Sequence, residues 1–405
     1  EGEVKPDGGS TKPSDVFAIR TIRILSGIII YNTPNGEPMR LDDITLDLTT
    51  TPSEAGEKGW YALDATLLRE PVFSLALDSR VNIDTMEVTF GETKLEMQLR
   101  EDQYGQLPPQ LQTLVRRHEV RGALAVTLSG QTILTDPIGG DLDLNMTLTD
   151  GLISFDEYVV PVDSLDLTAD LRERMFTVDP LMVSALGGTT KVRAEANLSG
   201  EKQAQARIDV NGVRVEEALR PAGNEPPRYK GRIALELDAS ASLAEPVESL
   251  AGIGSVAVDQ GRFIELPILG GLIRLVNKAA KTGDDSRLNA DLELEQREVR
   301  VKNLELVTST VAARGEGEIF LDGTVNFRIN AGPLERVQQS LGPIGDIFGK
   351  LTDKLVTYQV TGTSSDPKFA VKPLGIGAKS GKKEKTEPKK KAASAENDAN
   401  VKGSD

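Results

Sequence analysis

The chain has 405 residues, 62 Asp+Glu against 47 Lys+Arg and only 4% aromatic residues. That balance argues against a nucleic-acid partner, since phosphate binding needs clustered cations and base stacking needs aromatic rings. With no cysteine, disulfides and thiolate metal sites are excluded.

Residues 1–14 are polar and rich in Gly, Pro and Lys, which predicts a flexible lead-in. Beyond them one pattern persists for most of the chain: a hydrophobic residue at every second position, with polar residues between. Asp141-Leu142-Asp143-Leu144-Asn145-Met146-Thr147-Leu148 and Leu288-Asn289-Ala290-Asp291-Leu292-Glu293-Leu294 carry it most clearly. Strict alternation predicts strands of a sheet with one apolar face and one wet face. Trp60 stands beside Tyr61 at a predicted strand start, as an edge or core residue.

The alternation is organised in an internal repeat. A Gly followed by a short apolar strand opens each unit, at Gly27-Ile28-Ile29-Ile30-Tyr31, Gly151-Leu152-Ile153-Ser154-Phe155 and Gly261-Arg262-Phe263-Ile264. Later in each unit come a short helix, an alternating strand and an acidic-Pro pair. The helices are predicted near Pro109–Arg117, Val215–Leu219 and Leu334–Leu355. The pairs are Asp136-Pro137, Glu245-Pro246 and Asp366-Pro367, which subtraction places 109 and 121 residues apart. A Pro after Asp or Glu is expected to end a strand and pin a turn. Units of this size predict β-rich modules stacked end to end over 15–130, 131–245 and 246–375, followed by a disordered Lys-rich tail over 376–405. The Lys389-Lys390-Lys391 run reads as solvated, because acidic residues are interspersed.

Two longer segments are amphipathic. Leu266 to Lys281 presents Leu269, Leu272 and Val276. Leu334 to Leu355 presents Ile344, Phe348 and Leu351, with a break at Gly342-Pro343. Both are expected to close parts of the apolar face, and neither is long enough to cover it. The first is also the longest candidate for a membrane span, but it contains Arg274 and Lys278 and is too short. The sequence starts at Glu1 without a signal peptide, and is read as a mature form or a C-terminal portion, with any targeting or anchoring segment outside it.

No catalytic constellation is legible. The single histidine, His118, lies among charged residues at a predicted helix end and reads as a surface or capping group. No second His or Cys can complete a zinc site or a dyad. Nucleophile-elbow, Walker and dinucleotide fingerprints are missing. Asp141, Asp143 and Asn145 lack the spacing of a calcium loop and read as a solvated strand face. The glycines of Arg314-Gly315-Glu316-Gly317-Glu318 predict a bend or a close strand contact, not a phosphate cradle. No cofactor and no metal are expected.

One-sided sheets of this length are satisfied by a closed sandwich, a membrane barrel, or an open curved sheet whose apolar floor accepts lipid. The barrel fits worst, because it needs aromatic girdles. The apolar set is dominated by Leu, Val, Ile and Ala, and such aliphatic walls suit acyl chains. Alternation by itself is the same in sandwich and groove.

In the C-terminal third, Gly254-Ser255-Val256-Ala257-Val258-Asp259-Gln260-Gly261-Arg262-Phe263 runs into Leu266-Pro267-Ile268-Leu269-Gly270-Gly271-Leu272. Alternating strands follow, and then Tyr358-Gln359-Val360-Thr361-Gly362-Thr363-Ser364-Ser365-Asp366-Pro367-Lys368. Over about Gly231 to Leu374 this resembles the C-terminal region of AsmA-like envelope proteins of diderm bacteria. The resemblance implies a β-rich periplasmic body, an inner-membrane anchor outside this sequence, and a part in phospholipid movement and outer-membrane integrity. It supplies no catalytic residue.

The sequence reading is thus a mainly β, elongated curved antiparallel sheet of repeating modules with a few short helices. It is expected to be a non-enzymatic periplasmic protein, near a membrane and open to envelope protein partners, whose groove holds phospholipid acyl chains. Leu142, Leu144, Met146, Leu148, Leu165, Leu167, Leu292 and Leu294 are the expected groove residues. Leu269, Leu272, Val276, Ile344, Phe348 and Leu351 are the expected gate. The alternative is a structural or chaperone-like envelope protein built of closed β-sandwich modules.

Overall fold

The alternating segments form nineteen strands of one antiparallel sheet in the computed structural model. Residues 12–372 are described, apart from 17–19, 32–38, 53–57, 70–71, 108, 156–157, 219–229, 264–265, 278–285 and 334–355. The predicted lead-in to residue 11, the predicted helix at 334–355 and the tail from 373 lie outside the described residues.

The strands of the first unit are β1 (Thr21–Tyr31), β2 (Met39–Pro52), β3 (Trp60–Arg69), β4 (Phe73–Asn82), β5 (Glu87–Leu99) and β6 (Arg121–Ile133). Those of the second are β7 (Asp136–Phe155), β8 (Tyr158–Arg172), β9 (Met175–Ala185), β10 (Gly188–Asn197), β11 (Gln203–Arg214) and β12 (Arg232–Ser242). The third has β13 (Ala251–Gly261), β14 (Ser286–Glu295), β15 (Glu298–Val307), β16 (Val311–Phe320), β17 (Val325–Pro333) and β18 (Val356–Gly362), and β19 (Pro367–Lys372) follows. Each strand pairs with its neighbours in sequence, so the sheet is an unbroken up-and-down meander. No pairing closes β1 onto β19 among the described residues. Pairing of β6 with β7 and of β12 with β13 carries the sheet through the unit boundaries.

One register row crosses every strand on the apolar face. It runs Ile24, Leu46, Leu67, Leu75, Leu95, Val126, Met146, Leu167, Leu181, Val192, Ile208, Leu237, Gly254, Leu292, Val301, Gly317, Phe327, Val360 and Phe369. At the usual spacing between strands its contour is about 86 Å. Only two positions are not large and apolar, and both are glycines under a neighbour. A Cβ on Gly317 would fall 2.4 Å from the Phe327 ring, which is the close strand contact expected of this segment.

The meander puts all odd-to-even connections on one rim and all even-to-odd connections on the other. The α-helices of the described residues, α1 (Pro109–Arg117), α2 (Val215–Ala218) and α3 (Pro267–Val276), all fall on the first rim. α1 and α2 follow β5 and β11, six strands apart. The acidic-Pro pairs follow β6, β12 and β18 on the opposite rim. Their prolines pin turns, but Pro137 and Pro367 open the next strand, where a missing N–H is least costly. α3 ends at Val276 and not near Lys281, with Asn277 as its C-cap.

Two cores form where helical segments fold onto the apolar face. At the N-terminal end, Tyr104 and Leu107 of the segment between β5 and β6, with Val115 of α1, pack on Ile44, Phe73, Met97 and Leu148. The Tyr104 hydroxyl donates to the Val120 carbonyl at 2.7 Å, which fastens this segment to the strand that follows. At the C-terminal end Leu272 and Ile273 of α3 pack on Leu306, Ile329, Tyr358 and Val360. α3 lies between β13 and β14, yet Gly271 meets the ring of Phe369 on β19. Six strand spacings are about 29 Å along a sheet, whereas a ten-residue helix is about 15 Å long. The C-terminal strands therefore curl beneath α3.

Burial raises the Tyr104 pKa above 10.0. A raised folded-state pKa stabilises below the unfolded value, and that stabilisation disappears as pH rises through the folded one. Tyr104→Phe is expected to cost about 1 kcal/mol at neutral pH. In urea titrations its deficit relative to the native chain should shrink above about pH 10, where the native phenol must ionise to unfold. Burial raises Tyr358 in the same direction, but that contribution is common to both chains.

Candidate functional site

Between the two cores, no described residue packs deeply over the apolar face. From Met175 to Ser242 the only buried apolar side chain among the described residues is Val215 of α2. Inward residues here, such as Val192, Ala206, Ile208, Leu235 and Leu237, are half-buried, while their outward neighbours Arg193, Arg207, Glu236 and Asp238 are exposed. β9 to β12 thus carry a largely aliphatic floor of about 19 Å by about 30 Å, bordered by Val256 and Val258 of β13, which pack against the C-terminal core. That footprint of roughly 600 Å², lined by half-buried apolar side chains, lies at the upper end of what a soluble monomer leaves open, a size often functional.

The floor is graded. Nearest the turn rim, Ala196, Ala204 and Ala241 are register partners, followed by Ala194, Ala206, Ala239 and Gly252. Towards the helical rim come Val192, Ile208 and Leu237, then Val210, Leu235 and Val256. Side-chain bulk increases across the strands, so the floor is deepest beside the turns.

The expected groove residues divide between floor and core. Leu142, Leu144, Met146 and Leu167 lie half-buried on the apolar face of β7 and β8. Leu165 packs against the N-terminal core and Leu148 is sealed in it at 4% exposure, so neither faces an open groove. Leu292 packs against the C-terminal core, and Leu294 lies beside it on β14. Sequence reasoning missed the centre of the bare stretch, on β10 to β12. Its signal was weak, because nearly half of the inward positions there are alanine. Of the expected gate, Leu269, Leu272 and Val276 pack onto the C-terminal core, with Leu272 at 1% exposure. Ile344, Phe348 and Leu351 lie outside the described residues.

The opposite face is mostly polar and cross-linked by charge, with Ile253 as an exposed apolar exception. Asp143 pairs with Arg172, Arg193 with Asp179 at 2.8 Å, Arg287 with Asp259 at 2.6 Å, and Arg300 with Glu295 at 2.9 Å. Exposed pairs contribute little each, and here they keep this face wet. A hydrogen bond from Lys302, reinforced by its charge, holds the Glu293 carboxyl below its ordinary range. Trp60 begins β3 with Arg80 over its ring at 5.1 Å. A cleft of about 760 Å³ at the ends of β5 and β6 is lined by Arg100, Glu101, Asp102, Arg121 and Asp150. Its charges pair with one another, Arg121 with Glu101 at 2.7 Å and Arg100 with Asp102 at 3.4 Å.

His118, Glu119 and Ser154 do meet, but as a fastening. The Ser154 hydroxyl donates to Glu119 at 3.0 Å, while His118 Nδ1 lies 3.3 Å from the Ser154 carbonyl oxygen. The imidazole therefore addresses the Ser154 backbone and not its hydroxyl, which ties the end of β7 to the segment after α1. No group of three His, Asp or Glu among the described residues is placed to hold a metal ion. No helix of the described residues is long and apolar enough to cross a membrane.

No family model matches the chain, and no curated protein or solved structure matches it.

Proposed function

We propose that this protein is a non-catalytic lipid carrier whose bare apolar floor holds the acyl chains of phospholipid, with headgroups left in water at its margin. The observation that carries this reading is the aliphatic stretch on β9 to β12 that no described residue seals, flanked by two cores that the chain fills itself. An acyl chain gains about 0.8 kcal/mol for each methylene it buries and needs no hydrogen-bond partner, so an aliphatic surface without polar anchors suits it. The register row extends the same chemistry to both sheet edges. The AsmA-like arrangement of the C-terminal third adds the setting: the periplasm of a diderm bacterium, anchorage to the inner membrane by a segment outside this sequence, and phospholipid transport towards the outer membrane in support of envelope integrity. Closed sandwich modules, the competing architecture, need two facing sheets, whereas all nineteen strands belong to one.

The test is native mass spectrometry with lipid extraction on protein purified from a bacterial host. Co-purifying phospholipid, released as the protein unfolds, is the expected result. A chain that carries none, and takes none up from vesicles of phosphatidylethanolamine and phosphatidylglycerol, would sink the reading and favour a scaffold.

A further inference from the structure

We infer that the turn rim is an apolar lip over which single phospholipids slide sideways onto the floor, tails inward and phosphate held at the rim. This rests on the lipid reading of the floor and adds the route and the headgroup contact. Five turns on this rim begin with Ile or Leu: Ile83, Leu134, Leu198, Leu243 and Leu321. Each directly follows an even-numbered strand, and each donates its N–H to the preceding turn, at Gly59, Met86, Arg174, Lys202 and Arg297, over 3.0, 2.9, 2.8, 2.7 and 3.0 Å.

That backbone bond explains the turn geometry but not the side chain, since any residue except proline supplies an N–H. Turn tips ordinarily carry Gly, Asn, Asp, Ser or Pro. Leu134, Leu243 and Leu321 are instead 49%, 42% and 65% exposed. Each falls two residues beyond an inward-facing position of its strand (Thr132, Ala241 and Ile319), the step that keeps the same face. The lip is therefore continuous with the floor, and at Leu198 and Leu243 it adjoins the alanine-paved, deepest part. Three of the five accepting carbonyls belong to cations: Arg174, Lys202 and Arg297. Arg174 is paired with Asp136 and Arg297 with Glu248, while Lys202 makes no ion pair among the described residues. Leucines alternate along this rim with Arg174, Lys202 and Arg297 and with the exposed Glu173, Glu201, Glu245 and Asp322, so the lip offers apolar side chains to the tails and both signs of charge to a zwitterionic headgroup, Lys202 to its phosphate. Cores fill the two ends of the floor, and on the opposite rim α2 stands after β11.

Loading from vesicles of phosphatidylethanolamine and phosphatidylglycerol carrying a fluorescent-tailed phosphatidylethanolamine tests this on the full chain. Leu198→Asn with Leu243→Asn should slow uptake by at least about five-fold and leave the amount bound at equilibrium unchanged. Leu243→Met should restore the rate at that turn. Leu186→Asn, on the opposite rim between β9 and β10, should load at the native rate. If the double variant fails to fold, the exposed Lys202→Glu is measured the same way, with slower uptake expected. Unchanged rates in the lip variants, or equal slowing by Leu186→Asn, would overturn lateral loading while lipid still binds. A native chain that binds no lipid instead overturns the floor reading itself.

Discussion

Leu306→Ala should lower stability by about 2–5 kcal/mol, and the loss should stay local. Leu306 is fully buried in the C-terminal core, among Leu272, Val311 and Ile329, so truncation leaves a cavity that a curled sheet beneath a helix cannot readily close. In a meander each strand contacts mainly its two neighbours, and stability is close to a sum of nearest-neighbour contributions. Hydrogen exchange should therefore report weakened protection across β13 to β19, while amides around the N-terminal core keep theirs. Uniform loss from β2 to β19 would mean that the sheet unfolds as one unit and that the bare stretch couples the two cores.

Ile208→Asp should leave the protein folded and reduce bound phospholipid at least about ten-fold, whereas Leu148→Asp should unfold the N-terminal part. Both residues are inward on alternating strands, and sequence alone makes them equivalent. Leu148 is sealed beneath the segment between β5 and β6, where an unpaired carboxylate has no water. Ile208 is half-buried on a floor that no described residue seals, so a carboxylate there stays solvated and spoils only the apolar track. Circular dichroism and lipid extraction on the two variants separate the cases. If Ile208→Asp unfolds the chain as Leu148→Asp does, the middle is a closed core, and the scaffold reading gains.

The strands themselves were legible because a period of two is a local property, fixed by which residues face water and which do not. The six-strand spacing of the acidic-Pro pairs shows in the sequence as a regular interval, while the sheet itself runs unbroken through the expected module boundaries. The site was less so. Leu142, Leu144 and Leu167 carry large inward side chains and announce themselves, but Ala194, Ala206 and Ala239 announce little, and the part of the floor beside the turns is theirs. The lip leucines were overlooked because a Leu beside a turn looks like the end of a strand.

By itself, then, the sequence determined a long one-sided β structure, since alternation is written one strand at a time. Tertiary structure alone decided which parts of the apolar face stay open. That choice depends on where α1 and α3 land, and α3 reaches a strand six places beyond the one it leaves. Such a contact depends on curl and register summed over many strands, and no local pattern encodes it.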